Sequence, residues 1–335
     1  MKGHLPAYLA LAAGMALAGS TVVVGKMVTS QMPVFLGSSI RYGVAAVILL
    51  PLAVRLEGAQ LGLPPGRRDR RRVLGALFLQ SLFGNFLFSI CLLYGLRFAS
   101  AADGAVVTSL TPAVIGLLSV LFLRERLGWV KGGGLVLATV GVISLQLSSG
   151  AAGPAGPAAT APKLLGLAFL LGAVLSEAAF TVVGKALSSR ISPLPMSALS
   201  IGMGTLTLLP FALVEQAAFD WSTVPPATWF ALLYYGLFGT VASYLLWYWG
   251  VARVEAGVAG VFTAVLPVAA LALSAAVLGE SLTAAHLLGV LLVLGAIALT
   301  TRSSGGERRL SRRFPDAGGR ISPTPGQYFM TQTMH

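Results

Sequence analysis

Two charges stand in stretches where a charge is expensive. Glu177 lies near the middle of the apolar run 164–187, more than two helical turns from either end. Arg41 lies eight residues into the run 34–54, about 12 Å below the end of a helix that rises 1.5 Å per residue. A carboxylate at that depth is too short to reach water. It can hold an ammonium group, exchange a proton as its surroundings change, or bond to a neighbouring helix as a neutral acid. The guanidinium can clamp an anionic group, pair with Glu177, or stretch toward the interface. Ser20, Thr21, Gln80, Asn85, Tyr244 and Tyr248 supply hydroxyl and amide groups in similarly apolar surroundings, either as ligand contacts or as bonds between helices. Tyr244 and Tyr248 are one helical turn apart and share a face, whereas Gln80 and Asn85, five apart, do not. These eight residues are the candidate substrate contacts, with Glu177 also the candidate for coupling.

A second set sits where helices begin and end. Asp103 and Glu255 open apolar runs, as capping or gating charges would. Glu125 and Glu280 follow apolar runs, where a carboxylate can cap the next helix, and Pro112 and Pro267 mark kinks or breaks; these four read as structural. The histidines, His4, His286 and His335, are scattered and offer no metal-ligand spacing. Cys91 is the single cysteine, so no disulfide forms within the chain. The glycines of Gly19 to Lys26 have the wrong spacing for a phosphate loop and lie inside an apolar run. No cofactor and no metal are expected.

The elements that must position these residues follow from composition. The chain has 335 residues, 56% of them hydrophobic and 10% charged, with a mean hydropathy of +0.83. That describes an all-α integral membrane protein rather than a soluble domain. Ten apolar runs of bilayer length fall near 6–25, 34–54, 73–95, 99–123, 128–148, 164–187, 194–214, 227–250, 255–278 and 282–301. The first reads as a retained helix rather than a cleaved signal, because Thr21 to Lys26 (TVVVGK) recurs as Phe180 to Lys185 (FTVVGK). A Gly/Ala/Pro linker at 151–162 separates two units, 1–150 and 163–301, and a basic tail at 302–335 is expected to be disordered. The net charge of +12 lies mostly in connectors and tail, so it marks topology and not nucleic acid. With the N-terminus in the cytoplasm, Lys2, Arg55, the arginines at 67, 68, 70, 71 and 72, and the tail arginines all fall inside, while Lys26, Arg97 and Lys163 fall outside. Both termini are therefore expected in the cytoplasm of a bacterial-type inner membrane.

The two units are related. Gly95 to Leu127 and Gly250 to Leu282, 155 positions apart, are identical at ten of 33 aligned residues, including Pro112 with Pro267 and Glu125 with Glu280. Five helices per unit invert the second copy with respect to the first, and inverted repeats commonly hold a site at their interface. The pattern Pro112, Glu125-Arg126-Leu127, Gly134, echoed by Pro267, Glu280-Ser281-Leu282, Gly289, resembles the EamA domain of the drug/metabolite transporter superfamily. Arg124 stands where that family commonly has Gly, and Gly19-Ser20-Thr21 replaces its usual Trp or Asn. The resemblance implies ten helices, a cavity walled by helices 1–4 and 6–9 with helices 5 and 10 as outer supports, and a secondary transporter working without ATP.

The resulting expectation is an exporter of small metabolites such as amino acids, working by alternating access. Arg41 would take the carboxylate and Glu177 the ammonium. Its partners are a small-molecule solute and the lipid bilayer, with no nucleic acid. Efflux of organic cations on Glu177 alone is the alternative, followed by a membrane sensor and a membrane-embedded enzyme. The enzyme lacks any visible cluster of His, Asp, Cys or Ser. Function should lie where the two copies disagree: Glu177 corresponds to Ala18, Asp103 to Val258, and Arg41 to Ser200 or Ile201.

Overall fold

A computed structural model describes residues 4–98, 107–125, 128–148, 160–278 and 283–313. Among them there are helices and turns but no strand. In chain order the first unit contributes α1 (Leu5–Thr29), α2 (Val34–Glu57), α3 (Arg67–Ser81), a π turn (Leu82–Leu87), α4 (Phe88–Phe98), α5 (Thr111–Leu123) and α6 (Trp129–Ser148). The second contributes α7 (Thr160–Leu187), α8 (Pro193–Gln216), α9 (Pro226–Gly236), a second π turn (Leu237–Ala242), α10 (Ser243–Val251), α11 (Ala256–Thr263), α12 (Val265–Leu278) and α13 (Ala284–Arg313). Seven stretches are long and apolar enough to cross a membrane, and Leu5–Thr21, Thr111–Leu123 and Trp129–Leu145 are shorter apolar helices. Val47, Phe122, Leu206, Val214 and Phe230 are exposed, as suits a protein whose outer solvent is hydrocarbon.

The repeat governs this architecture in detail. Helices α2 and α8 begin and end 159 positions apart, and each encloses a proline, Pro51 and Pro210, at that same spacing. Arg41 is thereby matched to Ser200. The two π turns are separated by 155 positions, and both open Leu-Phe-Gly. The helix containing Pro267 is broken at Ala264, between α11 and α12, and its mate is interrupted by a turn at Ser109 and Leu110, just before Pro112. In each case the proline lies in the first turn of the second segment, where its missing N–H costs nothing.

Packing crosses between the units. Helix α2 lies along α8, and α6 lies along α13; α1 packs on α10 and α12, while α7 packs on α4 and α5. Without a hydrophobic drive between helices in lipid, close approach depends on small residues. Gly141 of α6 and Gly289 of α13 back onto each other: a Cβ on either would stand 3.0 or 2.9 Å from the other's carbonyl oxygen. The largest core cluster joins Leu11, Leu77, Met196, Tyr248 and Phe262, drawn from both units.

Two boundaries differ from the sequence expectation. Helix α7 starts at Thr160, inside the expected 151–162 linker, whose preceding residues lie outside the described ones. At the C-terminal boundary, expected at 302, α13 continues to Arg313. Residues 314–335 lie outside the described ones, as do Asp103 and Glu280.

Candidate functional site

Arg41 is held by aromatic faces. Its guanidinium carbon lies 4.3 Å from the ring centre of Tyr42 and 4.2 Å from that of Tyr235, with no ion pair to it among the described residues. Two cation–π contacts steady the charge without neutralising it. The Nε atom is buried and lacks a hydrogen-bond partner, a condition that calls for an explanation in a native fold. Tyr42 precedes a chain of polar contacts. Its hydroxyl donates to Asn85 Oδ1 at 2.7 Å, as does the Tyr244 hydroxyl at 2.8 Å, and the Asn85 amide donates to Ser81 Oγ at 3.0 Å. Ser81 in turn donates to the Ser200 carbonyl at 2.9 Å, and the Tyr248 hydroxyl reaches Ser200 Oγ at 3.3 Å. The network ties α2, the first π turn, α8 and α10 into one wall.

The first π turn accounts for the placement of Asn85. Its i→i+5 bonds widen the helix by about one residue per turn, so residues five apart come closer to one face than α-helical spacing allows. Gln80, just before it, is fully buried and donates through Nε2 to the Phe180 carbonyl at 3.2 Å, leaving Oε1 without a partner. Gln80 and Tyr248 therefore stand inside the packed wall rather than at an open surface. Gly84, within the π turn, admits the Phe180 ring, which would lie 2.3 Å from a Cβ there.

Glu177 occupies a different face. It is half-buried on α7, opposite the interrupted helix before Pro112. Thr111 Oγ1 lies 3.4 Å from its Oε2 and 2.7 Å from the Thr108 carbonyl. A hydroxyl has one proton, and the nearer, shorter geometry takes it. Among the described residues Glu177 thus has no short donor and no ion pair. At the equivalent place in the other unit the helices close tightly: a Cβ on Gly19 of α1 would stand 2.4 Å from the Leu266 carbonyl oxygen of α12. Both helices face a partner broken beside its proline, but α7 presents a carboxylate there where α1 has Ala18.

The two charges are connected but do not touch. Phe180, one turn along α7 from Glu177, meets Tyr244 at 6.3 Å between ring centres, and the Tyr244 and Tyr42 hydroxyls are 3.3 Å apart. Ser20 shares a 2.9 Å hydrogen bond with the Tyr234 hydroxyl, so it faces α9. Thr21 bonds to the Ala18 carbonyl of its own helix at 2.6 Å, and its methyl group fills the space above Gly239. Sequence reasoning missed Tyr42, Tyr235, Ser200 and Thr111 as parts of the site. Tyr235 was reachable, since it is the repeat mate of Gln80.

Glu125 and Glu255 come together where α11 begins. Glu125 reaches a helix of the other unit. Its Oε1 and Oε2 accept the Ala256 and Gly257 amide N–H groups of α11 at 2.7 and 3.0 Å, a cap supplied across the two units. Glu255, expected to cap α11 itself, makes no side-chain cap and instead pairs with Lys131, its two oxygens 3.2 and 3.0 Å from Nζ. Lys185 donates to the Val251 carbonyl at 2.9 Å, at the C-terminal end of α10, where cations are favoured. Arg124 has φ +55 and ψ +31 at the end of α5, a left-handed conformation that explains why Gly is common there.

Comparisons with known proteins agree with this architecture. Residues 5–146 and 164–302 each match the EamA-like transporter family. A Bacillus subtilis protein named "Uncharacterized transporter YetK" is 39% identical over 317 residues, covering 95% of this chain and 91% of its own length. A protein of Streptantibioticus cattleyicolor named "Probable terminal-alkyne amino-acid exporter" is 25% identical over 270 residues, covering 80% of this chain and 87% of its own. One crystal structure superposes with a TM-score of 0.71 at 18% identity, over 91% of this chain and 98% of the other.

Proposed function

Since this chain belongs to the EamA-like transporter family and is an integral membrane transporter of small molecules, we propose that it exports small metabolites such as amino acids by alternating access. All ten apolar segments cross the membrane, as two inverted five-helix repeats, 1–150 and 163–301, with both termini in the cytoplasm of a bacterial-type inner membrane. The observation that carries this reading is the pair of opposite charges, Arg41 and Glu177. Each stands in a membrane-spanning helix without an ion-pair partner among the described residues, and each occupies a position where the repeat mate is neutral. Intramembrane charges of this kind mark substrate or proton pathways.

Arg41, steadied by two tyrosine faces, keeps guanidinium donors for a carboxylate. Glu177, beside a broken helix, offers an acceptor for an ammonium group, or for a proton that travels against the solute. The naming of one relative as an amino-acid exporter supports the same substrate class. Alternating access draws support from the crossed packing, in which each unit's first helix leans on the other unit's later ones. Glu125 and the Lys131–Glu255 pair bind the units together at the cytoplasmic end of that crossing, and Asp103 is proposed as a capping or gating charge.

Counterflow of labelled amino acids into proteoliposomes tests the proposal. The parent protein should exchange internal for external zwitterion, and Glu177→Gln and Arg41→Ala should each lower the rate by at least about tenfold, the factor that follows from one lost charge-assisted contact. Exchange by both variants at the parental rate would overturn the site. Preference for organic cations over zwitterions, with Arg41→Ala fully active, would replace the substrate class.

A further inference from the structure

Arg67, Arg68, Arg71 and Arg72 line a surface cavity of about 460 Å³ at the start of α3. We propose that this cradle binds the headgroup of an anionic phospholipid. The inference needs only that α3 crosses the bilayer, so it stands apart from the transport reading.

The cradle is short of negative charge. The four arginines sit in the first two turns of α3, at spacings that place them on adjoining faces. They crowd the positive end of the helix dipole, where cations are disfavoured. Gly66, at the N-cap, has no side chain to accept the first amides. The one acid within this turn is Asp69, 3.8 Å from Arg72, and both side chains are about half exposed. A phosphodiester would supply what is missing: acceptor oxygens in the geometry that guanidinium forks match, and an anion at a helix start.

Depth and shape select a lipid rather than a soluble phosphate. Val73, the next residue, is buried in the core, and the arginines open the candidate membrane span Arg67–Leu92. Below them runs an apolar exposed stripe. Gly75 meets nothing within 4 Å, and Phe78 and Leu79, both about one turn farther in, are 47% and 43% exposed. Arg68, Arg72, Gly75 and Leu79 share one face, as do Arg71, Gly75 and Phe78. A headgroup in the cradle would lay its acyl chain along that stripe, over the gap that Gly75 leaves open.

The experiment uses the full chain, purified in detergent and offered equal amounts of phosphatidylglycerol and phosphatidylcholine, with retained lipid counted by native mass spectrometry. The parent should retain phosphatidylglycerol at least about tenfold over phosphatidylcholine, as several arginines near an anionic headgroup require. Replacing all four arginines with Gln should abolish the preference, while Lys at all four positions, which preserves charge and topology, should keep part of it. A matched variant with Arg308, Arg309, Arg312 and Arg313 changed to Gln should retain lipid as the parent does. Equal retention of the two lipids by the parent would overturn the proposal. So would displacement of phosphatidylglycerol by millimolar inorganic phosphate, which would make the cradle a phosphate site, or loss of preference in the tail variant alone.

Discussion

Glu125→Gln is the sharpest perturbation the fold offers, because one side chain of the first unit completes a helix of the second. The carboxylate accepts two backbone N–H groups, from Ala256 at 2.7 Å and Gly257 at 3.0 Å. Glutamine keeps the shape but turns one acceptor into an NH2 group that faces an N–H donor. One bond is lost, and the other loses its charge assistance. Bonds to charged groups contribute about 1.5–3 kcal/mol and neutral ones about 0.5–1.5 kcal/mol. The lost interaction with the helix dipole adds about 0.3–1 kcal/mol. The expected cost is therefore about 3–5.5 kcal/mol, or roughly 4–8 °C in the unfolding midpoint of a chain this long. Fluorescence of the five tryptophans during thermal unfolding of the purified protein reads it directly. Glu57→Gln is the control: Glu57 accepts one bond, 2.7 Å, from Ser192 Oγ at an exposed site, and should shift the midpoint by about 1 °C or less. A midpoint for Glu125→Gln no lower than that of the control would refute the cross-unit cap.

Two further substitutions probe the wall and its packing. Asn85→Leu should cost about 1–3 kcal/mol, because the Tyr42 and Tyr244 hydroxyls that it bonds lose their shared acceptor; adding Tyr42→Phe and Tyr244→Phe should recover most of the loss in the same unfolding assay. Gly19→Ala should cost about 1–3 kcal/mol by pressing a methyl group on the Leu266 carbonyl, whereas Gly43→Ala, with nothing within 4 Å, should be neutral or stabilising by up to about 1 kcal/mol.

Apolar run length, the repeated Pro and Glu, and the recurring Gly-Lys near the ends of helices α1 and α7 were enough to reveal the helical membrane class and its two related units. These signals are local or periodic. The route by which Glu125 caps α11 was hidden, because it joins residues 131 positions apart and nothing in either segment names the other. Asn85 was singled out by its polarity, but its partners depend on a π turn, whose extra residue has no compositional signature. Arg41 and Glu177 announced themselves by the cost of burying charge; the tyrosines that hold Arg41 did not, since aromatic residues are at home in any membrane helix. Arg124 was noticed as a departure from a family habit, and its positive φ supplies the reason for the habit.

A duplicated chain carries a record of the order in which its parts arose. Each π turn amounts to one residue more than an α-helix needs, and both halves hold it in the same place, over Leu82–Leu87 and Leu237–Ala242. The simplest history puts that insertion in a single ancestral unit, before its gene was doubled. The differences between Glu177 and Ala18, and between Arg41 and Ser200, belong to the time after, when the halves no longer had to be alike.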